Sequence, residues 1–273
     1  MPSPKTMLIT GCSEGGIATA RDISKIPTTL SAPPNVKTLT LDVCSPPSIA
    51  SAHFTSNAPT LDVIVNNAGA GYTMPLLDLS IDRAKDIYDI NIWGPIHLIQ
   101  AFSELLIARK GRIVNISTCG AVTNTPWIGT YTSSKAAFTT LSETLRLELA
   151  PLGVSGVTIM VGTVDSKFHD NEGAFELPKE GKTSLYAPVE AQIGEWASGR
   201  ATPKGVSAEE FVKMILGDVV AENAGGVVWK GPFSGSMKWM FRVAPGFVAD
   251  AAMSYSQGLK ELKAHYDAKE QLR

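Results

Sequence analysis

Short, continuous apolar runs alternate along this chain with longer stretches of helical periodicity. That alternation restricts the fold more than any other feature. The runs are Lys5–Thr10, Val36–Asp42, Leu61–Asn66, Arg112–Ser117, Ser155–Val161 and Gly226–Trp229. Several are dense in Val, Ile and Leu without polar alternation, as strands buried on both faces are. Between them lie helical patterns near Ser48–Asn57, Ser80–Lys110, Thr132–Pro151 and Ser207–Val220. In the third, Phe138, Leu141, Leu145 and Leu149 form one stripe, with Glu143, Arg146 and Glu148 expected to face away. Strand–helix alternation predicts βαβ units, hence an α/β fold with a doubly wound parallel sheet in one domain over residues 1–273. Two stretches stand outside that rhythm: a polar excursion at about 163–206 and an apolar C-terminal extension at about 231–273.

Composition narrows the function. With 24 Lys+Arg against 26 Asp+Glu, the net charge of −2 leaves no basic field for nucleic acid. Cys12, Cys44 and Cys119 form no C-x-x-C pair, which points to a reducing compartment and a cytoplasmic protein. The apolar part of Met1–Gly11 is too short for a signal peptide, and Ile113–Ser134 carries too many Asn, Ser and Thr to span a membrane. His53, His97, His169 and His265 have no metal-ligand spacing, so no metal is expected.

The chemistry-bearing segments follow the strands. Thr10-Gly11-Cys12-Ser13-Glu14-Gly15-Gly16-Ile17 is a glycine-rich turn of the kind that lets backbone N–H groups approach a pyrophosphate. Its Gly11-x-Ser13-x-Gly15 also fits a hydrolase nucleophile elbow, although only ten residues precede it to build an oxyanion hole. Asn66-Asn67-Ala68-Gly69 closes the third apolar run, and Asn91 sits inside a helical pattern. Tyr131 and Lys135, four apart at a helix start, share one face. A neighbouring ammonium favours the tyrosinate, and so would bring a phenol toward proton transfer with a carbonyl oxygen. Ser117-Thr118 stands at the end of a buried run thirteen residues before Tyr131.

Taken in order, Thr10-Gly11…Gly16, Asn66–Gly69, Asn91, Thr118, Tyr131 and Lys135 resemble the short-chain dehydrogenases/reductases. The Gly11–Ile17 turn and the Val161–Phe168 stretch look most like NADPH-dependent 1-acyldihydroxyacetone phosphate reductases and their relatives. The resemblance implies a Rossmann-like fold and NADPH/NADP as cofactor. It further implies Tyr131 as proton donor or acceptor, Lys135 as the group that lowers its pKa and binds the nicotinamide ribose, Thr118 as the substrate-binding hydroxyl, and Asn91 as holder of a relay water. The implied cofactor set is Gly11, Gly16, Ile17, Arg21, Asp42, Asn67, Ala68, Gly69, Lys135 and Val164.

Two departures stand out. The family's catalytic serine is replaced by Thr118, whose extra methyl restricts χ1. Ser117 is adjacent but should point to the opposite face. More seriously, only Ala18–Asn35 separates the glycine turn from the next clear apolar run, and Pro27, Pro33 and Pro34 interrupt it. Roughly fifteen to twenty residues are missing relative to a full βαβ unit, so the fold is expected to lack one helix and one strand there. Ala18-Thr19-Ala20-Arg21 resembles the end of the family's second strand, where an arginine takes the 2′-phosphate.

These features predict an NADPH-dependent oxidoreductase that reduces a bulky apolar ketone (or oxidises its alcohol), lipid-like or a secondary metabolite. The competing readings are a family member impaired in cofactor binding and, remotely, a serine hydrolase using Ser13. Trp229, Phe233, Trp239, Met240, Phe241 and Phe247 beside Lys238 and Arg242 suggest a pocket wall, a homo-oligomer contact or a peripheral lipid surface.

Overall fold

A computed structural model describes residues 5–11, 18–26, 33, 35–56, 60–179, 183–221 and 225–271. Among the described residues, one seven-stranded, wholly parallel sheet runs in the order Leu39–Thr40, Ala18–Ala20, Met7–Thr10, Val63–Asn66, Arg112–Thr118, Ser155–Val161, Gly226–Lys230. Its strands are β1 (Met7–Thr10), β2 (Ala18–Ala20), β3 (Leu39–Thr40), β4 (Val63–Asn66), β5 (Arg112–Thr118), β6 (Ser155–Val161) and β9 (Gly226–Lys230). The helices of the sheet are α1 (Pro46–Ser56), α2 (Ile81–Tyr88), α3 (Gly94–Arg109), α4 (Gly129–Leu149) and α6 (Ala208–Val220). On one face Leu8, Ile64 and Ile113 meet Ile49, Leu98, Phe102 and Leu106; on the other Val63, Val114 and Ile159 meet Phe211, Ile215 and Val219. Alternate residues of the same strands feed the two cores, which is why those strands read as unbroken apolar runs.

Beyond the sheet, β7 (Val164–Asp165) and β8 (Val206–Ser207) pair in parallel and bound the polar excursion, which carries α5 (Glu190–Ala197). Three further helices follow β9: α7 (Ser234–Val243), α8 (Gly246–Ser254) and α9 (Leu259–Gln271). Among the described residues, no helix is long and apolar enough to cross a membrane.

The compressed first unit corrects the expectation of a lost strand. Ala18–Ala20 is itself a strand, paired with β1 at Ile9↔Ala18 and Thr10↔Thr19 and with β3 at Thr19↔Leu39 and Ala20↔Thr40. The register explains how so short a connection serves. Because β2 begins level with Ile9, near the C-terminal end of β1, the chain need not travel back down the sheet as a helical crossover does. The Val36–Asp42 run contributes only Leu39–Thr40 to the ladder. Between β2 and β3, Ile23–Lys25 forms one 3-10 turn capped by Asp22, whose carboxylate accepts from Ser24 N–H at 2.9 Å. Ile26, extended ahead of Pro27 as a pre-proline residue prefers, buries its side chain against Ile9 and Ala20. Ile26 thereby covers part of the sheet at β1 and β2.

A buried polar chain fixes the register toward the site. Asn66 Nδ2 donates to Asn115 Oδ1 at 2.8 Å, Asn115 Nδ2 to Ser142 Oγ at 2.8 Å, and Ser142 Oγ to the Phe138 carbonyl at 2.7 Å. It ties β4, β5 and α4 together. Glu143 does not face away as the periodicity suggested: it accepts from Thr158 Oγ1 at 2.7 Å and pairs with Arg146 at 2.9 Å, bracing α4 on β6.

Candidate active site

Parallel α/β sheets place ligand crevices at the carboxyl ends of their strands. Here Thr10, Asn66 and Thr118 end β1, β4 and β5 on that edge. Thr10 Oγ1 accepts from the N–H groups of Asn67 (3.1 Å) and Ala68 (3.0 Å), while Asn67 Nδ2 donates to the Thr10 and Gly11 carbonyls at 3.1 Å each. Gly11 is left-handed (φ +69°), and a Cβ there would lie 2.8 Å from Ala68 Cα. Only glycine lets the first turn lie so close to the β4 loop. Arg21 leaves β2 exposed, and Asp42 after β3 accepts from Cys44 N–H at 3.0 Å. Gly16 and Ile17, like Ser13 of the hydrolase reading, fall outside the described residues.

Asn91 occupies a π-helical turn, Asp89–Trp93, between α2 and α3. Such single turns insert an extra residue into a helix and recur at functional sites. The turn carries Asn91 fully into the interior, where Oδ1 accepts from Ala70 N–H and Nδ2 donates to the Ala70 carbonyl and to Ser134 Oγ, all at 2.9 Å. Both amide hydrogens are thus committed within the protein, and the side chain acts as a brace. A Cβ on neighbouring Gly69 would sit 3.3 Å from Asn91 Oδ1 and 3.4 Å from Lys135 Nζ. Asn91, Gly69 and Lys135 are one packed unit.

Lys135, on the second turn of α4, is 5% exposed and donates to the Ile116 carbonyl at 2.9 Å. Burial pulls its pKa down to about 8. Tyr131 stands one turn earlier, with the Thr118 hydroxyl near its phenol. Burial pushes the phenol above its ordinary value; the Thr118 hydroxyl works against this, while the charges of Cys119 and Glu172 add to it. The direction is opposite to the one expected from Lys135, and its largest cause is desolvation. Thr118 Oγ1 also accepts from Gly120 N–H at 3.1 Å. Ser117 turns the other way, as its strand position requires, with Oγ 2.7 Å from Thr139 Oγ1. Val164 packs under α6 in the β7–β8 pair.

The sequence did not single out several residues at this centre. Phe168 of the excursion lays its ring on that of Tyr131, centroids 5.2 Å apart. Glu172 is buried against Thr73, and Ser134 supports Asn91. Trp127 adopts φ +72°, rare for so bulky a residue, held by Nε1 donating to the Gln257 carbonyl at 3.0 Å. None of these carries a local pattern; only the fold brings them together.

The sequence model described as short chain dehydrogenase matches residues 17–176. The chain belongs to that family. The matched stretch starts after β1 and its glycine turn, the unit whose spacing is compressed. Short-chain dehydrogenase ptmH of Penicillium ochrochloron is 37% identical, covering 90% of this chain and 95% of the relative. An NADPH-dependent 1-acyldihydroxyacetone phosphate reductase of Schizosaccharomyces pombe is 34% identical, covering 77% of each. Among solved structures, a short-chain dehydrogenase from Streptomyces avermitilis matches with a TM-score of 0.73 at 21% identity, over 97% of this chain and 99% of that one. One from Burkholderia cenocepacia in complex with NADP matches at 0.69 and 19%, over 89% and 95%. These two likenesses concern the fold. The protein is an oxidoreductase with a Rossmann-like fold.

Proposed function

We propose that the protein is an NADPH-dependent reductase of a bulky, apolar ketone, lipid-like or a secondary metabolite. The observation that carries this reading is the Tyr131 phenol, kept protonated by burial with the Thr118 hydroxyl near it, one turn from a buried lysine. A phenol whose pKa is raised is an acid throughout the neutral range, which suits it to protonate a ketone oxygen. Thr118 supplies a second hydroxyl to orient that oxygen.

Close packing at the carboxyl edge of the sheet supports a nicotinamide dinucleotide there: a Cβ on Gly69 would lie 3.3 Å from Asn91 Oδ1 and 3.4 Å from Lys135 Nζ, and Gly11 lets the first turn lie against Ala68. Lys135 would hold the nicotinamide ribose, Asn67–Gly69 the adenosine side, and Arg21 the 2′-phosphate that distinguishes NADPH from NADH. When bound, the cofactor supplies the hydride. The NADPH named in the S. pombe relative supports the same choice.

A specific observation also favours the impaired-cofactor reading: Cys12–Ile17 provide only six residues between Gly11 and β2. That is too few for the helix whose N-terminus normally faces the pyrophosphate. Fluorescence titration of the purified protein with NADPH, and with NADH in parallel, separates the readings. Binding at micromolar NADPH supports the reductase; no binding at millimolar cofactor overturns it.

The lipid-surface contact is also retained as part of this reading. Trp239 and Phe247 are 60% and 75% exposed on α7 and α8, with Lys238 and Arg242 beside them. Apolar anchors flanked by cations suit an anionic lipid surface.

A further inference from the structure

The excursion brings a carboxylate to the reacting centre. Phe168 covers the Tyr131 ring, and four residues on, Glu172 turns its side chain to the same place. That side chain is only 6% exposed. Its Oε2 accepts from the Thr73 N–H and the Thr73 hydroxyl, both at 2.9 Å, and its Oε1 faces His169 Nδ1 at 3.4 Å. The wall is completed by Gly71, where a Cβ would collide with Glu172 Oε1 and lie 2.9 Å from the Phe168 ring.

The neighbouring cations each have a partner of their own. Arg83 Nη2 donates to the backbone carbonyl of Glu172 at 2.5 Å, and its guanidinium lies 4.4 Å from the Tyr72 ring centre, so it ties down the loop. His169 is shared with Thr202, whose Oγ1 lies 3.5 Å from Nε2. The Lys135 ammonium is engaged by Ile116. Glu172 accordingly remains among the groups that oppose charge on Tyr131.

We propose that Glu172 is a charge filter, selecting ketones that are neutral or cationic beside the carbonyl and rejecting anionic ones. The inference rests on the reductase reading and narrows its substrate class. A ketone whose oxygen reaches Tyr131 has Phe168 beside it, and Gly71 and the Glu172 carboxylate adjoin that ring. There a second negative charge meets the carboxylate in a site shielded from water, where like charges repel most strongly. The filter sets this chain apart from the S. pombe relative, whose name specifies a phosphate-bearing ketone.

A matched pair tests it: benzoylformate, with a carboxylate on the carbonyl carbon, and its neutral methyl ester. The quantity read is the acid-to-ester ratio of kcat/KM with NADPH, so intrinsic differences in reactivity cancel between variants. Binding of both compounds to the NADPH complex is also titrated by fluorescence in a Tyr131→Phe background, which reads selection without turnover. Glu172→Gln keeps the shape and an acceptor for Thr73, and should raise the ratio about tenfold or more by either readout. Thr73→Val keeps the charge but loses one hydrogen bond, and should leave the ratio within about threefold of wild type. A ratio unmoved by Glu172→Gln, or moved equally by Thr73→Val, overturns the filter while NADPH binding stays normal. Loss of NADPH binding in the wild-type protein overturns the reductase reading as well.

Discussion

Lys135 donates its ammonium to the carbonyl of Ile116 at 2.9 Å from a position shut off from water. With its folded-state pKa lowered from 10.5 to about 8, the folded protein sheds this proton before the unfolded chain does. Between about pH 8 and 10.5 the unfolded chain therefore holds more protons, and this group makes stability rise with pH. Below that window the full cost of the buried charge is present, with a ceiling of about 3 kcal/mol. Lys135→Met should stabilise the protein at pH 7 by about 1–3 kcal/mol, less the lost hydrogen bond, while abolishing turnover. Urea denaturation at pH 7 and pH 10 checks this; a variant less stable than wild type at pH 7 contradicts it.

Lys135 and Tyr131 together set the pH profile of the reaction. Tyr131 stays protonated across the neutral range, so ketone reduction should be flat below about pH 8 and fall as Lys135 loses its charge. Tyr131→Phe should lower kcat by about a thousandfold or more and leave the NADPH Kd within about threefold. Steady-state rates from pH 6 to 9.5, with cofactor titration of the variant, provide the check. Unchanged turnover in Tyr131→Phe would remove the phenol from the mechanism.

Asn91 offers a test of architecture. Truncation to Ala strips the Ala70 N–H and carbonyl of their side-chain partner and leaves Ser134 Oγ only its bond to the Tyr131 carbonyl. Unsatisfied buried groups of this kind cost about 2–4 kcal/mol together. Asn91→Ala should therefore lower the unfolding free energy by about that amount and depress kcat, since Gly69 is no longer pressed against Lys135. Chemical denaturation alongside turnover measures both. A stability change under about 0.5 kcal/mol would show that the brace carries no weight.

What could be read in advance follows from range. Strands buried on both faces announce themselves locally: β6 falls on the expected Ser155–Val161 and β5 differs from the expected run by one residue. The i, i+4 pair of Tyr131 and Lys135 is likewise local. By contrast, a three-residue strand such as β2 has no period to detect, and only its neighbours at Ile9 and Leu39 define it. The π turn at Asn91 is hidden because an extra residue disturbs helical periodicity only slightly. Glu172 and Thr73 stand 99 positions apart, and no spacing rule connects them. The direction of the Tyr131 shift was missed for a related reason. The charge of a neighbour is legible in a sequence, whereas desolvation depends on the whole surrounding fold.

Arg21 decides cofactor choice if the resemblance of Ala18–Arg21 holds functionally. It is exposed at the end of β2, close enough to Cys44 for its charge to act on that thiol. Arg21→Ala should weaken NADPH binding about tenfold and leave NADH binding unchanged, since an exposed arginine–phosphate contact carries about 1–2 kcal/mol. Parallel titrations with the two cofactors settle it. Equal losses for both would place Arg21 outside the 2′-phosphate site.

The C-terminal helices connect the exposed apolar surface to the crevice. α7 packs against the Cys119–Val122 turn that follows Thr118 directly. Farther along, Asn124 Nδ2 donates to Asp250 at 3.2 Å and Trp127 to the Gln257 carbonyl, so α8 and the segment after it are fastened to the same rim. A lipid surface engaged by Trp239 and Phe247 would therefore lie beside the segment that ends at Tyr131, and an apolar ketone could enter without crossing water. Lys238, with Nζ 5.9 Å from the Trp239 ring centre, can extend its charge to headgroups while its stem stays on the indole. Vesicles of phosphatidylcholine with a minority of phosphatidylserine should co-sediment with the protein, and less so at high salt. Replacing Trp239 and Phe247 by Ser together should weaken that association about a hundredfold, since each buried aromatic contributes about 1.5–3 kcal/mol. Turnover of a water-soluble ketone should be unchanged in the double variant. Wild-type protein that stays in the supernatant, or a double variant that sediments equally well, defeats the lipid reading and leaves the patch to contact between protein chains.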